Sequence, residues 1–207
     1  MPAWANKDCD ALPLPASLPL KDDDTPPLAS GATLARIHWP SSIEPFFGPK
    51  PGEPPKYRFD DPQGKFRVCY LGEDETASFA ETYLHTPRPR IITRESLSKR
   101  KLSFFRVTRE LQLLQLHGGG LTQVGCTADI TSSPEPYHKP QQFGRDVWDH
   151  SDQLDGIQWR CRHDNGLFAV ALFDRAKGAL QLTSTEDLLA DHVRILKWTK
   201  RYGIAIA

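Results

Sequence analysis

Arg58, Tyr70 and Glu81 bring a guanidinium, a phenol ring and a carboxylate into one short stretch of chain. They stand in Tyr57-Arg58-Phe59-Asp60, in Phe66-Arg67-Val68-Cys69-Tyr70-Leu71-Gly72 and in Ala77-Ser78-Phe79-Ala80-Glu81-Thr82. A planar, permanently charged fork grips phosphate oxygens in pairs. An aromatic ring packs against a base or a sugar edge, and a carboxylate stabilises positive charge that develops beside it. Together the three suit a ligand with a pyrophosphate, an aromatic base and a ribose.

Positioning these groups takes a loop, a strand and a helix in succession. Residues 40–57 hold six prolines and read as a loop leading to Arg58. Phe66, Val68 and Tyr70 alternate with Arg67, Cys69 and Leu71, the period of a strand. Asp74 is placed to cap a helix over roughly residues 75–85, on which Ala77, Glu81 and Leu84 share a face with Ala80 beside them. That face turns Glu81 toward packed protein, where a carboxylate must find a partner. A further strand is expected at Leu34–Trp39, and others at Leu102–Val107 and Leu111–Leu116 before a Gly118-Gly119-Gly120 turn. A helix is expected over 140–151, with Pro140 at its first position and Phe143, Val147 and Trp148 as its buried stripe. A hairpin follows, from Gly156–Arg162 through an Asp164-Asn165-Gly166 turn into Leu167–Phe173. Val193–Trp198 is one further apolar run. Many short strands, expected to be mostly antiparallel, with few helices make an α+β pattern.

The 207 residues suit one domain with an extension. Residues 1–30, with six prolines and the Asp22-Asp23-Asp24 run, read as a flexible arm, leaving 31–207 as the domain. With 26 basic and 26 acidic side chains the net charge is zero, which gives no support to nucleic-acid or anionic-membrane binding. Mean hydropathy is −0.50, and no apolar run approaches the ~20 residues of a membrane helix. Prolines interrupt the apolar stretch at residues 11–20 and acidic residues precede it, so no secretory signal is read and a cytoplasmic location is expected. The scattered Cys9, Cys69, Cys126 and Cys161 are expected to be thiols, and no metal-ligand spacing is present.

Arg36-Ile37-His38, Arg58-Phe59-Asp60, Val68-Cys69-Tyr70-Leu71, Ala77 to Glu81 and Asp155 to Arg162 occur in an order and spacing that resemble the RES-domain family, over roughly residues 34–173. Each motif is short; their shared order carries the resemblance. Where the family pattern has its serine, this chain has Cys161. The resemblance implies an ADP-ribosyltransferase-like fold, NAD as substrate with no resident cofactor, and cleavage by water or inorganic phosphate. It also implies a role as a toxin beside a helix-turn-helix antitoxin; transfer of ADP-ribose to a macromolecule is the first alternative. A weakened NAD-binding or protein-interaction module is the second, raised by Cys161 and the arm.

On that reading Glu81 stabilises the oxocarbenium-like transition state of nicotinamide–ribose cleavage. Arg58 grips the pyrophosphate with Arg36 as a second contact, Tyr70 stacks on the ligand, and Phe59 and Cys161 complete the binding site. The competing structural reading makes Arg58 a solvated loop residue, Tyr70 a half-buried strand aromatic and Glu81 half of a salt bridge to Arg58 or Arg36. Cys161 as a nucleophile is disfavoured, because strand alternation turns Arg160 and Arg162 away from it. The basic cluster of Arg88, Arg90, Arg94, Lys99, Arg100, Lys101, Arg106 and Arg109 reads as a solvated face.

Overall fold

The computed structural model describes residues 13–20, 28–84 and 91–207. Arg88 and Arg90 of the basic cluster lie outside them, as do residues 1–12 and 21–27 of the arm. The chain runs through β1 (Thr33–His38), β2 (Val68–Gly72), α1 (Glu75–Tyr83), β3 (Ile91–Ile92), α2 (Arg94–Ser98), β4 (Lys101–Val107) and β5 (Leu113–Gln115). It continues through α3 (Gly118–Gln123), α4 (Asp129–Ser132), α5 (His138–Asp149), β6 (Gly156–Cys161) and β7 (Asp164–Phe173). A 3₁₀ turn at Asp174–Ala179, β8 (Leu180–Asp187), α6 (His192–Tyr202) and β9 (Ala205–Ile206) complete it.

Seven strands form one sheet in the order β5-β6-β7-β2-β1-β4-β8, antiparallel except for the β5–β6 pair. The α+β expectation with mostly antiparallel strands holds. The sheet has one structural break that matters for function. β1 pairs with β4 along its whole length, but with β2 only through Ala35 and Gly72. Beyond that pair the two strands part, and the backbone groups of Arg36, Ile37, Tyr70 and Leu71 lose a β1–β2 ladder.

α1 lies over this break. Asp74 caps it as expected, its carboxylate accepting from the Ala77 N–H at 2.6 Å. Gly72 permits the tight approach: a Cβ there would sit 2.4 Å from the Ser78 nitrogen. The Ser78 hydroxyl then donates to the Ala35 carbonyl at 2.6 Å, fastening the helix to β1. From the other side Phe79 stacks on Trp198 of α6, ring centroids 4.5 Å apart.

Three sequence expectations shift. Gly118-Gly119-Gly120 opens α3 and is no turn; a Cβ on Gly120 would fall 2.1 Å from the Gln115 carbonyl oxygen, so only glycine lets α3 sit on β5. The β6–β7 reversal is made by Arg162-His163, with Cys161 opposite Asp164. Asn165-Gly166 therefore lies inside β7, beside a register shift that the Asn-Gly signal marked one step late. Pro140 is the third residue of α5, whose first is His138.

Within the stretch read as an arm, residues 13–20 lie extended against the domain. Leu18 is buried, its N–H donates to Asp152 at 2.8 Å, and the Pro19 carbonyl accepts from Gln115 N–H at 2.9 Å. This covers part of an edge strand, β5, that would otherwise expose unpaired backbone groups. Cys69 and Cys161 are free and buried, as thiols were expected to be, whereas Cys126 is disulfide-bonded.

Candidate functional site

Where β1 and β2 part, a cavity of about 290 Å³ opens beneath α1. Arg36, Arg58, Tyr70 and Glu81 all line it, so four of the six residues singled out from sequence converge. The other two do not reach it. Phe59 is fully buried, its ring edge-on to Trp159 at 5.4 Å, and it serves as core beneath the Arg58 loop. Cys161 is likewise fully buried, behind Glu81.

Arg36 occupies the break itself. Its Nη1 donates to the Tyr70 carbonyl at 3.3 Å and the Phe46 carbonyl at 3.3 Å. It thus satisfies one of the backbone acceptors that the parted strands leave without a ladder partner. Its Nε lies 3.4 Å from Glu44, whose side chain is only 3% exposed. Burial works to lower the Arg36 pKa, but Cys69 and Glu44 beside it outweigh that and hold the guanidinium above its ordinary value. The same burial pushes the Cys69 thiol up to about 11.

Arg58 is fastened in a comparable way. Its Nη2 donates to the Ser133 carbonyl at 2.7 Å, and its Nη1 to the Ser133 hydroxyl at 3.1 Å and the Ile130 carbonyl at 3.3 Å. The guanidinium lies over the Tyr137 ring, 4.7 Å from its centroid. Burial lowers its pKa, with Tyr137 and Glu81 opposing. It is therefore no solvated loop arginine.

Tyr70 turns its hydroxyl inward, donating to Asp60 at 3.0 Å and accepting from Phe59 N–H at 2.8 Å. Burial, reinforced by Asp60, raises the phenol well above its ordinary value, so it stays neutral. Asp60 also accepts from the backbone N–H of Lys56 and Tyr57, at 2.9 and 2.7 Å. Its neighbour Asp61 is ion-paired to Arg145 at 2.9 Å. The two aspartates set the loop that presents Arg58. Sequence reading passed over them, although adjacent aspartates after a proline-rich loop are a turn-forming signal.

Glu81 accepts from the Arg162 N–H at 3.3 Å, at the β6–β7 turn. The Cys161 thiol hydrogen-bonds to it as well; burial first, then Glu81, raise that thiol far above its ordinary value. Burial and the neighbouring carboxylate thus disfavour the thiolate, which argues against Cys161 as a nucleophile. Strand alternation was expected to turn Arg162 away, but β6 ends at Cys161, and Arg162 and His163 line the cavity from the turn. Tyr57, Tyr137 and Trp159 add aromatic wall, and Arg100 adds a further guanidinium; none of these was singled out from sequence for the site. Among the described residues no group of three or more His, Cys, Asp or Glu side chains could hold a metal ion, and no helix is long and apolar enough to cross a membrane.

The fold and the cleft together define an α+β domain whose mostly antiparallel sheet parts at a cavity lined by one carboxylate and several arginines. The RES domain family matches residues 33–195, most of the chain, and the chain belongs to that family. It is similar in structure to a chain of the M. tuberculosis MbcT–MbcA toxin–antitoxin complex, with a TM-score of 0.59 and 18% identity over 78% of this chain and 86% of that one. At that identity the likeness concerns the fold. No curated protein matches the chain in sequence.

Proposed function

We propose that this protein cleaves NAD at the nicotinamide–ribose bond and acts as the toxin of a toxin–antitoxin pair. The observation that carries the reading is the gathering of Glu81, Tyr70, Arg58 and Arg36 on one cavity. Family membership and the fold shared with a toxin–antitoxin chain support it. The cavity is at the small end of the range for ligand pockets, roughly 300–1,000 Å³, so it takes one end of a dinucleotide and leaves the other outside.

Breaking the glycosidic bond leaves positive charge on the ribose anomeric carbon, and the bonding electrons depart with nicotinamide, whose ring nitrogen becomes neutral. Glu81 stabilises that cation and holds a ribose hydroxyl. The Arg162 N–H and the Cys161 thiol orient the carboxylate. Tyr70 and Tyr57 flank the ligand with their rings, while Arg58 and Arg36 make the cavity electropositive. Water or inorganic phosphate then attacks from the open side, so no side-chain nucleophile is required. A helix-turn-helix antitoxin is the proposed protein partner, and the cytoplasm, where NAD is abundant, the proposed location.

The test is incubation of pure protein with NAD, with and without inorganic phosphate, and identification of the products. ADP-ribose, or ADP-ribose 1″-phosphate, with free nicotinamide is expected; intact NAD refutes the reading. Glu81→Gln should slow single-turnover cleavage on the order of 100- to 1,000-fold while NAD affinity and melting temperature change little. A variant that melts early yet cleaves NAD at the normal rate removes Glu81 from the mechanism.

A further inference from the structure

Arg100 differs from the two arginines that the sequence reading assigned to phosphate. Arg36 and Arg58 donate to backbone carbonyls, a thiol and a hydroxyl, and Arg36 is ion-paired to Glu44. An arginine has five N–H donors in a fixed fork; Arg36 commits its Nη1, and Arg58 both its Nη1 and its Nη2, inside the protein. Arg100 also lines the cavity, but among the described residues no hydrogen bond or ion pair engages its side chain, and its buried Nε is without a hydrogen-bond partner. It is nonetheless held in place. Its guanidinium lies against the indole of Trp39, 3.6 Å from the ring centroid. Its backbone is fixed on both sides, the N–H donating to Leu97 and the carbonyl accepting from Leu188. The backbone of Trp39 is fixed in turn, its carbonyl accepting from Ser42 N–H at 3.0 Å and lying 2.8 Å from His38 Nδ1, while the residue is half exposed.

A guanidinium stacked on an aromatic plate keeps its edge free for in-plane hydrogen bonds while losing little freedom on binding. We propose that the Arg100–Trp39 pair is the subsite that grips the diphosphate of the nucleotide, outside the part of the cavity that takes the ribose beside Glu81. This rests on the proposed NAD-cleaving function for the identity of the ligand, and on the structure for the location. Arg58 and Arg36 then shape the cavity and its field, and the two-pronged phosphate contact falls to Arg100.

The experiment measures calorimetric affinity for three probes, in the wild type and in Arg100→Gln. The probes are NAD, ADP, which carries the diphosphate without the reacting ribose, and nicotinamide riboside, which has the reacting end without phosphate. A charge-assisted contact of this kind corresponds to roughly a 10- to 100-fold change in affinity. Arg100→Gln should lose that much for NAD and ADP and nothing for nicotinamide riboside. Trp39→Leu should lose part of it with the same pattern, and if Arg100→Gln does not fold, Arg100→Lys should give an intermediate loss for the two phosphate-bearing probes. Unchanged ADP affinity in Arg100→Gln, equal losses for all three probes, or a wild type that does not bind ADP overturns the assignment. A wild type that binds ADP with the Arg100 dependence described, yet leaves NAD intact, sinks the NAD-cleavage reading and leaves the subsite standing.

Discussion

Arg36 and Arg58 on one hand, Arg100 and Arg162 on the other, put the same side chain on the same cavity with opposite connections. The first pair is fastened into the wall: Arg36 in the gap between β1 and β2 against Glu44, Arg58 across the Ser133 and Ile130 carbonyls. The second pair has no side-chain hydrogen bond or ion pair among the described residues; Arg100 rests on Trp39, and Arg162 stands exposed at a two-residue turn. A residue of the first kind is expected to act mainly on stability and on the electric field of the site. A residue of the second kind is expected to act on ligand affinity. The comparison teaches that the same charge on the same cavity can be committed to holding the fold or left without side-chain partners, and that charge and location alone do not tell the two apart.

The largest effect that could break this contrast belongs to Arg36. Arg36→Met removes the guanidinium paired with Glu44, whose side chain is 3% exposed and keeps the Phe46 N–H and His38 beside it, and strands the Tyr70 and Phe46 carbonyls at the break in the sheet. Leaving a buried charge without its partner costs about 3–5 kcal/mol, which should appear as a large fall in denaturation midpoint. Arg162→Met, by contrast, should stay within about 0.5 kcal/mol of the wild type, as surface substitutions do. Equal midpoints for the two variants in urea would erase the distinction between fastened and unfastened arginines.

Cys161 sharpens the contrast at an intermediate size, because it touches the Glu81 carboxylate and does not line the cavity. Its thiol is a weaker hydrogen-bond donor than a hydroxyl. Cys161→Ser should therefore keep or raise the rate of NAD cleavage, and Cys161→Ala should lower it by no more than about tenfold, the worth of one modest hydrogen bond. Both should leave NAD affinity unchanged. Abolished turnover in both folded variants would instead point to a covalent role for the thiol, against its strongly raised pKa.

Much of this was legible in the sequence where a local rule sets the answer. Alternation marked β2 and β6, an apolar run marked β1, Asp74 marked the start of α1, and the order Arg58, Tyr70, Glu81 marked three lining residues. What stayed hidden depends on partners distant in the chain. Nothing local says that β1 and β2 pair only at Ala35 and Gly72, so the cavity and the duty of Arg36 within it could not be read. Arg100 was lost among eight basic residues of one cluster, because only the fold lays it on Trp39. Phe59 was misjudged because it adjoins Arg58 in sequence, while a tight turn sends the two side chains to the core and to the cavity respectively. Arg162 was misjudged because period-2 alternation was carried one residue past the end of β6.

The smallest expected effect concerns how the unfastened side of the cavity is held. Asp164, directly after the Arg162-His163 turn, accepts from Arg201 Nε at 2.8 Å and from the Tyr202 hydroxyl at 2.9 Å, both on α6. Burial works to raise the Asp164 carboxyl, but the hydrogen bonds from Arg201 and Tyr202 prevail and hold it below its ordinary value. A carboxylate with a depressed folded-state pKa stabilises the fold above its unfolded pKa, and that contribution is lost as pH falls through the folded value. The clasp should thus be fully present at neutral pH and disappear below the ordinary aspartate value of 3.8. Asp164→Asn removes the charge at every pH. The gap in melting temperature between wild type and variant should be widest near pH 7 and close as pH drops below that value. Because the clasp fixes the turn that carries Arg162, the variant should also bind NAD slightly more weakly at pH 7, while its response to Arg36→Met stays additive. A melting-temperature gap that is flat with pH would mean that Asp164 holds the hairpin by shape alone, and that the turn bearing Arg162 does not depend on this ion pair.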